Sequence, residues 1–202
     1  MMLSDYGHLA DDASDNNLIS KDAVHVPARG DRMDSLKQVS DQIRGCVDCS
    51  LSQGRINAVP GQRNAHALVM FIGERPAFQE DRQGIPFVGA SGKLLDGLLA
   101  SIGMRREDVF IANMVKCRLP DNRDPAPPEM AACAKYLDRQ IELVDPKLIV
   151  TVGRFAFGRY FPGEGITNAR GQSRVKDGRN IEESLRPEQL ALIQGYQSAL
   201  GN

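Results

Sequence analysis

Ala67-Leu68-Val69-Met70-Phe71-Ile72-Gly73 is a short, unbroken apolar run closed by a glycine. It lacks the alternation of a half-buried strand and the length of a helix, so it reads as a β-strand buried on both faces. Val109-Phe110-Ile111-Ala112 and Leu148-Ile149-Val150-Thr151-Val152 have the same character. Helical patterns lie between these runs. One starts at about Ser91 with Leu94, Leu95, Leu98, Leu99 and Ile102 inward. Another starts at Pro128, a residue suited to the first helical position, and runs to about Val144 with Met130, Leu137, Ile141 and Val144 inward. A short helix follows Gly153 to about Tyr160. This alternation predicts a parallel sheet with helices on both faces. The working site of such a sheet lies at the carboxyl ends of the strands, which are the loops after residues 72, 112 and 152.

Further out the pattern weakens. Asp34-Ser35 can cap a helix running to about Gly45, with Leu36, Val39 and Ile43 on one face. Residues 74–90 and 118–128 read as loops, the second holding four prolines. Residues 172–181 read as a polar hairpin and 187–200 as a terminal helix. Residues 1–34 are polar and aperiodic and read as an acidic, disordered tail before a domain over 35–202. No run approaches the ~18 apolar residues of a membrane span, and residues 1–34 hold no signal-peptide core, so a cytoplasmic protein is expected.

The four cysteines form a Cys46-x2-Cys49 pair plus Cys117 and Cys133. Two residues between thiolates let a tight loop aim both at one centre, and a folded core would have to bring in the other two. Four thiols in a reducing compartment point to one tetrathiolate site holding zinc or an iron–sulfur cluster. Two disulfides or unrelated buried thiols are the plainer reading, disfavoured by the compartment.

The net charge of the 202 residues is −1, unevenly spread. Residues 1–34 carry seven of the 26 acidic side chains and three of the 25 basic ones, which leaves 22 basic against 19 acidic in the remainder. A mildly basic body permits DNA binding through a local patch and does not demand it.

Gly73-Glu74-Arg75-Pro76-Ala77 follows a strand directly but is neither a P-loop nor a dinucleotide fingerprint. Phe87, in Pro86-Phe87-Val88-Gly89, is either a core residue or a base-stacking platform in a crevice loop. Ser91-Gly92 opens a helix whose free amides suit an anion. Together, Gly73-Glu74-x-Pro76, Glu80-Asp81, Gly84-x-Pro86-Phe87-Val88-Gly89, Gly92-x-Leu94-Leu95, Ile111-Ala112-Asn113-x-Val115-Lys116-Cys117-Arg118 and Asn122-Arg123-Asp124-Pro125 closely resemble the type 4 uracil-DNA glycosylases over about residues 36–178.

The resemblance implies a three-layer α/β/α fold on a central, mainly parallel four-stranded sheet. It implies a structural 4Fe–4S cluster on Cys46, Cys49, Cys117 and Cys133, uracil-containing DNA as substrate, and a monomer acting at the nucleoid. Phe87 would stack on a flipped uracil, Asn113 would read its O4 and N3–H edge, and Glu80 would crowd a thymine methyl. Glu74 would position water or balance charge as the N-glycosidic bond breaks.

The chain departs from the pattern at Arg75 and Ala77, usually a small residue and glycine, and at Ile85, usually basic. Arg75 is therefore expected either to reach the departing uracil anion or to contact phosphate from solvent. The family's last strand leads into a His-Pro element whose histidine faces uracil O2. Here Arg179 is followed by Asn180-Ile181-Glu182-Glu183, and the only histidines are His8, His25 and His66. The last strand is expected to be missing or altered, and excision weakened. The alternative is a catalytically inactive iron–sulfur protein that binds DNA or a repair partner.

Overall fold

The structure, a computed structural model, describes residues 29–169 and 173–183. In chain order its elements are α1 (Arg29–Gly45), α2 (Leu51–Gly54), β1 (Gln62–Arg63), β2 (Val69–Gly73), α3 (Phe78–Gln83), α4 (Ala90–Ser101), β3 (Phe110–Asn113), α5 (Pro127–Val144), β4 (Leu148–Thr151), α6 (Arg154–Tyr160), α7 (Ile166–Ala169), β5 (Arg174–Lys176) and β6 (Arg179–Glu183). They build one six-stranded sheet in the order β1-β3-β2-β4-β6-β5.

The apolar run sits at the centre of this sheet because both of its neighbours are parallel strands. Gly73 pairs with Asn113 of β3, and Ile72 with Thr151 of β4. Alternate residues of β2 serve opposite layers. Met70 and Ile72 pack with Leu36, Val39 and Ile43 of α1 and Leu137 and Ile141 of α5. Val69 and Phe71 pack with Leu95 and Leu99 of α4. The fold is thus α/β in three layers. Deleting a side chain as enclosed as Leu99 costs about 2–5 kcal/mol.

Four expectations change. Phe78–Gln83, expected as loop, form α3. The last parallel strand is present: β6 pairs with β4 from Leu148 opposite Asn180 to Thr151 opposite Glu183. Its sequence hides this, since Ile181 is its one apolar residue, and its order comes from the ladder to β4 and the hairpin with β5. Four parallel strands therefore carry two short antiparallel edges. Helix α1 begins at Arg29, so part of the segment counted as tail is helical. Leu94, expected inward, is 66% exposed, because α4 turns Leu95 and Leu99 to the sheet. The expected terminal helix over 187–200 and residues 1–28 lie outside the described residues. No helix among the described residues is long and apolar enough to cross a membrane.

Candidate base pocket and cysteine cleft

The carboxyl ends of β2, β3 and β4 open onto a cavity of about 440 Å³. Glu74, Arg75, Glu80, Phe87 and Asn113 all line it, with Ala77, Ser91, Asn122 and Val152. The loop after β2 and the end of β3 stay in register there. Met114 donates its N–H to the Gly73 carbonyl at 2.8 Å and Val115 to that of Glu74 at 3.1 Å.

Asn113 is 2% exposed, and its Oδ1 has no hydrogen-bond partner. A buried acceptor left unmet is costly, so such an atom at a cavity wall points to a donor supplied by a ligand. Gly73 makes the arrangement possible. A Cβ there would lie 2.4 Å from Asn113 Oδ1 and 2.7 Å from the Phe87 ring. From below, the fully buried Lys116 ammonium holds the Asn113 carbonyl at 2.8 Å and Gln140 Oε1 at 2.8 Å. Burial pulls the Lys116 pKa down to about 7.

Phe87 is held in the left-handed region at φ 52°. Two charged residues clamp it there. Glu80 accepts from the N–H groups of Val88 and Gly89 at 3.1 and 3.0 Å. Arg106 donates to the Pro86 carbonyl at 2.7 Å and to that of Phe87. The other Glu80 oxygen reaches back to accept from Ala77 N–H, at the residue before α3, at 3.1 Å. Both carboxylate oxygens are therefore committed to the loop. Sequence reading missed Arg106, whose contacts to this loop lie 19 and 20 residues away and follow from no local pattern.

Glu74 Oε1 accepts from Phe155 N–H at the start of α6, at 3.1 Å. Its approach needs Gly153, where a Cβ would sit 2.5 Å from the carboxylate and φ is 109°. Arg75 donates to Glu74 Oε2 at 3.1 Å and to the Asn122 carbonyl at 2.8 Å. It lines the crevice and bridges its two walls as a tie. His66 lies in the turn before β2, its N–H on Asn64 Oδ1 at 2.9 Å, and does not line the cavity.

The four cysteines line a second, narrow cleft. No disulfide joins them in the structure, which weighs against the two-disulfide reading. Cys46 and Cys49 come from the turn after α1, Cys117 from the segment after β3, and Cys133 from α5. Arg55 donates to Cys117 Sγ at 3.0 Å and to the carbonyls of Arg44 and Cys46 at 2.9 and 2.8 Å. Burial pushes the Cys133 thiol up to about 11 and raises that of Cys117. These thiols keep their protons unless a cationic centre displaces them. No group of three or more Cys, His, Asp or Glu among the described residues is gathered to hold a single metal ion.

The sequence profile described as the uracil DNA glycosylase superfamily matches residues 60–196, and the chain belongs to that family. Its curated relatives narrow the likeness to type 4. The chain is 48% identical over 149 residues to the type-4 uracil-DNA glycosylase of Sulfurisphaera tokodaii, covering 71% of this chain and 68% of that protein. It is 52% identical to the Archaeoglobus fulgidus type-4 enzyme, over 61% of this chain and 62% of that protein. It is 44% identical to that of Thermotoga maritima, over 69% of this chain and 74% of that protein.

Proposed function

We propose that this protein is a DNA repair glycosylase that excises uracil from DNA by hydrolysing the N-glycosidic bond. The unmet Asn113 Oδ1 beside Phe87 carries the reading. A uracil flipped beneath the Phe87 ring would give that oxygen its N3–H and accept from the Asn113 amide through O4. Cytosine presents an acceptor where uracil has N3–H and a donor where it has O4, so both contacts reverse. Sites built on such bonds reject the wrong partner strongly, because their buried groups are then left unmet.

Glu74, its oxygens fixed by Phe155 N–H and Arg75, would balance positive charge growing on the sugar. Glu80 acts as a positioning residue for the Phe87 loop. Its crowding of a thymine methyl is then an effect of the wall it shapes. No histidine among the described residues faces the cavity to stabilise the leaving uracil anion, so excision should be slow. Removing one such donor typically costs about 10²–10³ in rate.

The cleft suits a 4Fe–4S cluster on Cys46, Cys49, Cys117 and Cys133. The donors are four soft thiols, and Arg55 offers positive charge to one of them. Zinc bonds of about 2.3 Å would draw all four sulfurs tightly around one ion. An iron–sulfur cube would instead take one thiolate at each iron. When bound, the cluster would tie the segment after α1 to β3 and α5.

Single-turnover excision by wild type and Asn113→Asp tests this function. The Asp carboxylate cannot donate to O4, so uracil release should fall sharply at pH 8. Equal rates would remove Asn113 from the site. The absent His-Pro element favours one other reading, an inactive iron–sulfur protein that binds DNA or a repair partner. Tight binding of uracil DNA with no release would favour it.

A further inference from the structure

Phe78 opens α3 one residue after the crevice-lining Ala77 and is 46% exposed. Two guanidinium groups lie over its ring, Arg118 at 5.1 Å and Arg82 at 5.7 Å from the centroid. Neighbouring arginines are already engaged: Arg75 by Glu74, Arg123 by Glu129 and Arg154 by Asp124. Among the described residues neither Arg82 nor Arg118 has a carboxylate partner, and Arg118 Nε has no hydrogen-bond partner. Arg118 also lines a groove of about 400 Å³ with Leu119, Asp121 and Arg123. Asn122, from the same segment, lines the base pocket. The segment 121–123 therefore contributes to both the groove and the pocket.

We propose that Phe78, Arg82 and Arg118 form a phosphate clamp for the DNA strand that delivers the flipped base. The ring fixes two planar cations against its face and leaves their outer N–H groups for neighbouring backbone phosphates. Unpaired arginines beside a pocket of nucleobase chemistry favour a nucleic acid over an acidic protein. The inference rests on reading that pocket as a uracil site.

The test is titration of the full chain with a uracil-free duplex over a range of salt concentrations. Wild-type affinity should fall log-linearly with salt. Arg82→Gln and Arg118→Gln should each reduce the slope by about 0.9, and the double variant by about 1.8. Arg139→Gln, whose guanidinium pairs with Glu142 on α5, should leave it unchanged. Phe78→Ala keeps both charges but loses the mount, so affinity should fall several-fold, and Phe78→Trp should restore it. An unchanged slope in the double variant overturns the clamp. So does an equal loss with Arg139→Gln, which would mark a diffuse charge effect. A double variant that keeps its DNA slope but loses binding to polyglutamate assigns the patch to an acidic protein and also overturns it. Uracil release by wild type separates the two readings. Release with an unchanged slope removes only the clamp, and altered slopes without release remove only the uracil pocket.

Discussion

Replacing Glu80 by Gln should loosen the Phe87 loop without touching the base. Glu80 accepts three backbone N–H groups, two on one oxygen and one on the other. Gln keeps the first oxygen for Val88 and Gly89 but turns an amide NH₂ towards Ala77 N–H. One charge-assisted bond is lost and two donors oppose each other, at a cost of about 2 kcal/mol. For a chain of this size that lowers the melting temperature by about 4–8 °C. Phe87 gains a way out of its left-handed conformation, which costs about 1–3 kcal/mol to hold. Single-turnover excision of uracil should then fall about tenfold, equivalent to 1.4 kcal/mol of lost preorganisation. The assay pairs thermal melts with excision from uracil and from thymine mispaired with guanine, for Glu80→Gln and Glu80→Ala. An unchanged melting temperature with new thymine excision by Glu80→Ala would refute this reasoning. It would show that Glu80 reads the base directly.

Arg75→Ala should free Glu74 and the Asn122 carbonyl. Excision should drop a few-fold with KM more affected than kcat, whereas loss of a group on the leaving anion would abolish kcat. The Arg123 hydrogen bonds hold the Glu129 carboxyl below its ordinary 4.5. A depressed folded value adds stability above the unfolded pKa, lost as pH falls through the folded one. The melting-temperature gap between wild type and Glu129→Gln should therefore be full at pH 7, shrink below about 4.5 and close in stronger acid. Purified protein should be brown, and Arg55→Gln should lose iron to a chelator faster than wild type, read as decay of absorbance near ~400 nm. A colourless protein with stoichiometric zinc would overturn the cluster.

The central sheet was legible because each parallel core strand but one is an apolar run, and buried strands need no other signal. Helix α3 was not. Phe78-Gln79-Glu80-Asp81-Arg82-Gln83 has one apolar residue, and its order comes from the Glu80 cap and from Asp81 accepting from Ile56 and Asn57 N–H. Strand β6 escaped notice because pairing with β4, not side-chain pattern, makes it a strand. The pocket residues were legible by resemblance, and they do converge. Their tasks were less so: Glu80 and Arg75 carry the residue types expected to meet a base, yet their hydrogen bonds go to backbone and to Glu74. Those bonds depend on the left-handed turn at Phe87 and on Asn122, neither of which sequence spacing encodes.

The most direct measurement is single-turnover release of uracil from a single-stranded oligonucleotide by excess wild-type protein, beside the Archaeoglobus fulgidus relative. The Asn113 pocket, which no histidine among the described residues faces, predicts measurable release, about 10²–10³ slower than the relative if that enzyme carries the histidine, and none from cytosine. No release at any excess, with the oligonucleotide bound, would contradict the glycosylase reading.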